Sequence, residues 1–190
     1  NTIVIYSSDQ GFYIGDHGWY DKRWMYEESL MMPFIVNWPG VTKPGSRDQH
    51  LIQNLDYAET FLDIAGAKIP ADMQGTSLVP LLRGQNPKDW RTSIYYHYYE
   101  YPSVHMIPRH YGIRTERYKL MHFYQFGNEW ELYDLKNDPD ELMNIYGRKG
   151  TAKLTANLKR QLTDLQKHYE ADCDISEKPD SWKVQMRKQN

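Results

Sequence analysis

Apolar positions along the chain fall into two patterns. Near the start they form short unbroken runs. Residues 2–6 read Thr-Ile-Val-Ile-Tyr, and residues 33–38 read Pro-Phe-Ile-Val-Asn-Trp, stopped by Pro39-Gly40. Runs without alternation predict strands buried on both faces of a parallel sheet. A loop spans 9–23, and 24–29 predicts a short helical turn. Residues 54–65 predict an amphipathic helix, with Leu55, Ala58, Phe61, Leu62 and Ala65 as its apolar stripe, Asn54 as N-cap and Gly66 just past its end. The stretch 66–92 is rich in Pro and Gly, with one helical turn at 77–82.

From residue 93 the pattern changes to short aromatic-rich segments at 93–101, 111–115, 118–124 and 130–134, separated by polar or Gly turns. These predict a small antiparallel sheet. Asn137-Asp138-Pro139 is a turn. Residues 151–169 predict a helix whose Leu154, Leu158, Leu162, Leu165 and Tyr169 cover one face of that sheet. The fold class is therefore α/β, a sheet domain followed by a small α+β subdomain in which a C-terminal helix packs an antiparallel sheet. The expected organisation is 1–75 for the first domain, 76–92 as linker, 93–172 for the subdomain and 173–190 as a polar tail. The chain opens inside a strand and without Met, so we read it as lacking an N-terminal part. Strands 2–6 and 33–38 are then expected to pair with strands outside this chain.

Charge and composition narrow the classes. The 190 residues carry a net charge of -2, which supplies no basic field for nucleic acid. No apolar run reaches the length of a membrane span. Cys173 is the only cysteine, which excludes an intrachain disulfide. The absence of an Asn-x-Ser/Thr sequon weighs against a glycosylated secretory protein of a eukaryote. Sixteen Tyr and six Trp suit a sugar-facing surface, and equally suit half-buried strands.

Three groups of residues carry candidate chemistry. Asp9 and Gln10 follow the first strand directly, and open α/β sheets bind ligands at that edge. A carboxylate beside an amide carbonyl suits Ca²⁺, with Mg²⁺ as the alternative cation. The competing reading is a turn aspartate. His17 and Lys22 stand in a Gly-rich loop. Lys offers a compact donor for an oxyanion and His a proton donor or hydrogen-bond partner, against the plain reading of solvated side chains. Third, His97, His105, Arg109, His110 and Arg114 interleave with Tyr98, Tyr99, Tyr101 and Tyr111. Cations among rings suit an anionic sugar, and equally one wet face of a strand.

Ser8-Asp9-Gln10-Gly11, Gly15-Asp16-His17-Gly18 and Lys22 resemble the second metal-binding segment of type I sulfatases, of the alkaline phosphatase superfamily. Residues 32–40 resemble the strand that follows there, 55–66 the next helix, and 131–141 with 111–115 the C-terminal hairpin region. Asp21-Lys22-Arg23, Met25-Tyr26-Glu27-Glu28-Ser29, Tyr98-Tyr99-Glu100-Tyr101-Pro102 and the run from His105 to Thr115 are similar to N-acetylglucosamine-6-sulfatases. The resemblance implies the C-terminal part of an alkaline-phosphatase-like domain. It implies Asp9 and Gln10 as Ca²⁺ ligands, although the family more often has Asn or His at the second position. It implies Lys22 on the sulfate, His17 lining the site as candidate acid, and Asp21, Arg23, His97, His105, Arg109 and His110 holding the sugar. The implied substrate is 6-O-sulfated N-acetylglucosamine in glycosaminoglycan or mucin glycans, in a bacterial periplasm or outside the cell rather than in a lysosome. The family nucleophile, a formylglycine made in a Cys/Ser-x-Pro/Ala-x-Arg motif, is expected in the missing part, since the surroundings of Cys173 do not fit that motif. The chain by itself is then expected to be inactive. Other readings are a phosphodiesterase or phosphonate hydrolase of the superfamily, a non-catalytic module that binds sulfated glycan, or a degenerate sulfatase without activity.

Overall fold

A computed structural model describes residues 1–101, 104–125 and 127–171. The tail from residue 173, with Cys173, lies outside the described residues. The chain is a mixed helix-and-strand protein, and its contacts divide it into two compact units. Asn1–Gly11 and Leu30–Ile94 form the first. Phe12–Ser29 belongs to the second, together with the chain from Tyr95 onward.

In the first unit, β1 (Val4–Ser7) pairs antiparallel with β2 (Phe34–Asn37), Tyr6 opposite Ile35 and Ser7 opposite Phe34. The two apolar runs therefore pair with each other, which corrects the expectation of strands in a parallel sheet buried on both faces. Val4, Tyr6 and Ile35 share one face and are each more than half exposed. The other face meets the helix α2 (Asp56–Ile64): Phe34 stacks on Tyr57 at 5.0 Å, and the hydroxyls of Tyr57 and Ser7 share a 2.7 Å hydrogen bond.

The burial of α2 is inverted from the expected stripe. Leu55 and Phe61 are about half exposed, whereas Asp56, Glu59 and Thr60 are buried. The N-terminus starts at Asp56, and no side chain caps it. Each buried polar group has a partner elsewhere in the unit. Asp56 takes both terminal nitrogens of Arg91 and the N–H of Thr76. The Glu59 carboxylate accepts the Gly75 N–H at 2.6 Å, and the Thr60 hydroxyl accepts the Leu78 N–H at 2.8 Å. Apolar periodicity marks a buried stripe only when the polar face has water to turn to. Here that face binds the returning chain, where α3 (Val79–Leu82) buries Val79 and Leu81.

The second unit is built on a four-stranded sheet of β3 (Ser93–Tyr98), β4 (His110–Thr115), β5 (Tyr118–Phe123) and β6 (Glu129–Asp134), hydrogen-bonded in that order. β5 pairs antiparallel with both β4 and β6. Alternation along these strands makes two faces. On one, Ile113, Leu120 and Leu132 meet Leu158 and Leu162 of α4 (Ala152–His168), with Leu154 and Leu165 packed around them. Each fully buried Leu or Ile contributes about 1.5–3 kcal/mol of transfer free energy. On the other, Lys119, Met121 and Phe123 alternate with the first set and are also buried. That face is covered by Trp24, Met25 and Tyr26, which lead into α1 (Glu27–Leu30).

Gly112 makes that covering possible. A Cβ there would stand 2.4 Å from the Leu120 carbonyl oxygen and 2.7 Å from the Met25 sulfur. Neither the paired strand nor the buried Met25 can retreat freely. Gly112→Ala is expected to cost about 1–3 kcal/mol, seen as a lower denaturation midpoint. An unchanged midpoint would mean that Met25 does not pack against the sheet.

Candidate functional site

The candidate residues fall on both units, and each part has its own geometry. On the first unit, Asp9 and Gln10 follow β1 by two and three residues. The Ser8 hydroxyl donates to the Gln10 carbonyl at 2.7 Å and reaches Asp9 Oδ1 at 3.4 Å, closing a tight turn. Asp9 is exposed and Gln10 half-buried. Their oxygens are hard donors of the kind Ca²⁺ takes, but Ca²⁺ needs about 6–8 of them. Among the described residues, no group of three or more His, Cys, Asp or Glu could hold a metal. The pair thus fits part of a calcium shell.

On the second unit, Phe12–Ser29 is a folded loop held at several levels. The Tyr13 N–H donates to the Asp21 carbonyl and the Gly15 N–H to that of Trp19, so the loop doubles back like a hairpin. Its tip is Asp16–Gly18, where Gly15, His17 and Gly18 all have positive φ. The His17 ring stacks on Tyr26 at 4.4 Å, and its Nε2 lies 3.4 Å from Glu28 Oε2. Tyr13 is fully buried and links both limbs, donating to the Trp24 carbonyl and accepting from the Tyr26 N–H. Burial pushes the Tyr13 and Tyr26 phenols far up, so both stay neutral.

Lys22 is set by its backbone. Its N–H donates to Asp21 Oδ1 at 2.6 Å, and its carbonyl accepts the fully buried Ser29 hydroxyl at 2.6 Å. The Arg23 guanidinium pairs with the same Asp21 carboxylate, whose other oxygen lies 3.5 Å from His105 Nδ1. The structure therefore brings Asp21, Lys22, Arg23 and His105 together, although His105 is remote in sequence. The Tyr96 hydroxyl anchors the Arg23 carbonyl at 2.7 Å.

Other sugar candidates serve the unit's own structure. Both His97 nitrogens have tyrosine hydroxyls beside them, Tyr95 at 2.7 Å and Tyr124 at 3.1 Å, and its ring lies 3.7 Å from that of Tyr99. Arg109 donates to the carbonyls of Tyr99 and Tyr101 and fixes that turn. His110 has no exposed surface and lies among Trp24, Tyr96 and Phe123. Burial lowers its pKa to about 4, so it is neutral at pH 7. A ring without exposed surface cannot touch a sugar, so His110 is corrected to a core residue.

Sequence reasoning missed the supports. α1 is pinned by a buried ion cluster: the Lys119 ammonium, with no exposed surface, lies 2.8 Å from both Glu27 Oε1 and Glu141 Oε1. Arg114 also pairs with Glu27 at 3.0 Å, and the Glu27 N–H donates to Glu141 Oε2 at 2.7 Å. Burial opposes the charge of Glu27, but Lys119 and Arg114 outweigh it and hold its carboxyl below the usual range. Burial pushes the Glu141 carboxyl up. No local pattern marks Lys119 as buried, since its partners lie far off in sequence.

Comparison with known proteins adds a family to this geometry. The family model described as N-sulphoglucosamine sulphohydrolase, C-terminal, matches residues 15–168. The chain is 52% identical over 180 residues to an N-acetylglucosamine-6-O-sulfatase of Bacteroides thetaiotaomicron, covering 94% of this chain and 32% of that protein. A Delta 4,5-hexuronate-2-O-sulfatase of the same organism is 34% identical, with 86% of this chain and 34% of that protein covered. A solved structure described as in complex with its substrate, D-glucosamine-2-N,6-O-disulfate, superposes with a TM-score of 0.89 at 48% identity, over 93% of this chain and 36% of that one. The chain thus spans about a third of the length of the curated relatives it matches.

Proposed function

The chain belongs to the sulfatase family whose model is described as N-sulphoglucosamine sulphohydrolase, C-terminal, and from that membership we propose that the whole protein hydrolyses the 6-O-sulfate of N-acetylglucosamine in glycosaminoglycan or mucin glycans. The observation that carries this reading is the 52% identity to an N-acetylglucosamine-6-O-sulfatase across 94% of the chain. The same identity favours a sulfate ester over the phosphodiester and phosphonate substrates of the wider superfamily.

In this reading Lys22 donates hydrogen bonds to the sulfuryl oxygens, where charge collects as the S–O bond breaks. Ser29 and Asp21 hold its backbone from either side. Asp21, Arg23 and His105 form the edge that reads sugar hydroxyls, and a carboxylate with a guanidinium suits paired hydroxyl groups. His97 and Arg109 shape that wall, while the His17 ring locks the loop tip onto Tyr26 and Glu28. Asp9 and Gln10 would hold Ca²⁺, with Mg²⁺ as alternative, and the ion would supply positive charge for an anionic substrate. A formylglycine nucleophile belongs to a segment other than this chain. The remaining two thirds of a relative's length is the natural cover for the exposed Val4, Tyr6 and Ile35 face and for Leu55 and Phe61. Glycan substrates of this kind, with a bacterial relative at 52% identity, suit a bacterial periplasm or the space outside the cell. No helix among the described residues is long and apolar enough to cross a membrane.

The test is sulfate release by the full-length protein, followed by ion chromatography. We expect release from N-acetylglucosamine 6-sulfate, little from N-acetylgalactosamine 6-sulfate, and loss of activity on calcium chelation. Faster turnover of a phosphonate monoester than of any sulfate ester would overturn the reading.

A further inference from the structure

We propose that the groove where β6 leads into α4 is a second binding site for sulfated saccharide, separate from the residues around Lys22. The inference rests on the glycan-sulfatase reading above, which makes a sulfated chain the expected partner. Between Glu141 and Asp164 the chain carries Arg148, Lys149, Lys153, Lys159 and Arg160 and no carboxylate, in a protein whose net charge is -2. A surface selected only for solubility mixes its signs, whereas a one-sign stretch attracts a polyanion.

The stretch also borders an open groove. A groove of about 320 Å³ is lined by Tyr146, Arg148, Thr151, Thr155 and Lys159, together with Ala152 and Ala156. Its shape and chemistry suit one charged sugar residue. Small side chains leave room for the ring, and Tyr146 supplies an aromatic wall, its own ring stacked on Trp130 at 6.1 Å. The Lys159 ammonium is held in place, donating to the Tyr146 hydroxyl at 2.9 Å and lying 3.7 Å from the Trp130 ring. It keeps further N–H donors for a sulfate. The Arg148 side chain is exposed and makes no hydrogen bond or ion pair among the described residues. Thr155 lines the groove, but its hydroxyl is shielded from solvent and so is not among the groups that a saccharide there would reach.

A ring and two cations around one groove recognise a sulfated hexose better than they recognise a nucleic acid, which would need a longer basic track. The saccharide is therefore the occupant we assign. It would be a residue of the same glycan chain, or of a neighbouring chain, beyond the sugar that is cleaved.

The test uses the full-length protein carrying Lys22→Ala, to suppress turnover, and a heparin-derived hexasaccharide measured by calorimetry. Arg148→Ala with Lys153→Ala is the chosen variant, because both side chains are exposed and their removal leaves the core intact. Binding is expected to weaken roughly tenfold and to lose its salt dependence in part. With Lys22 restored, the double variant should cleave N-acetylglucosamine 6-sulfate at the wild-type kcat/KM. Equal affinity of variant and parent for the hexasaccharide overturns the proposal. So does equal affinity for its desulfated counterpart, or tighter binding of a short DNA duplex. Absence of monosaccharide cleavage by the wild type, with hexasaccharide binding still dependent on Arg148 and Lys153, would instead count against the sulfatase reading alone.

Discussion

Lys119→Met is expected to destabilise the second unit by about 3–5 kcal/mol, because it strands buried carboxylates without their cation. Glu27 and Glu141 both approach the Lys119 ammonium at 2.8 Å, and Glu141 is only 2% exposed. Arg114 would still offset Glu27, but Glu141 would have no cation among the described residues. The sign of the pH dependence follows. Glu27 has a depressed folded value, so its contribution is present above the unfolded carboxylate pKa and is lost as pH falls through the folded value. Without the ammonium, the buried carboxylates are driven up and folding takes up protons. The gap between Lys119→Met and wild type should therefore narrow between about pH 7 and about pH 5. Urea titrations at both values measure this. A double variant, Lys119→Met with Glu141→Leu, should lose less than the single one, since it removes the stranded charge. Equal losses for single and double variants would show that the cluster is not coupled.

Lys22→Ala in the full-length protein is expected to lower kcat/KM for sulfate ester hydrolysis by about 10²–10³, with no matching loss of stability. The contacts from Ser29 and to Asp21 use the backbone of residue 22 and survive truncation of the side chain. Lys22→Arg should recover little, because a planar fork does not present donors as an ammonium does. Sulfate release and a thermal melt on the same preparations separate the effects. A fall of less than threefold, or an equal loss in melting temperature for an inactive protein, would remove Lys22 from the sulfate.

The strands β3–β6 and the helix α4 were legible because their side chains obey a local rule. Aromatic-rich segments between polar or Gly turns mark the strands, and Leu154, Leu158, Leu162 and Leu165 recur at helical spacing. The first unit was harder. The α2 stripe read as core because Leu55 and Phe61 are apolar, yet Asp56 is buried by Arg91, thirty-five residues later, and Glu59 by the Gly75 backbone. No window of sequence contains both partners. The same holds for the site. Asp9 and Lys22 stood out as candidates from the Gly-rich loop and the family resemblance, and His105 joined Asp21 only in space. Ser29 and Lys119 carry no local mark of their roles, because burial and not residue type turns a hydroxyl into a clamp and a lysine into a core residue. His110 failed in the opposite direction: its Tyr-rich neighbours suggested a sugar, and they are its packing.

The excursion of Phe12–Ser29 has a practical consequence for anyone dividing this polypeptide. A nick in the exposed stretch 66–72 yields an N-terminal piece that carries the Lys22 loop and α1, and a C-terminal piece that carries the sheet on which they lie. Lys119 to Glu27, Tyr26 to Glu131 and Arg91 to Asp56 then become intermolecular bonds. The two pieces would remain clasped like interlocked fingers, so protease-clipped protein should migrate as one particle under native conditions and as two bands once denatured. That makes the interior of the chain a natural place for fragment complementation.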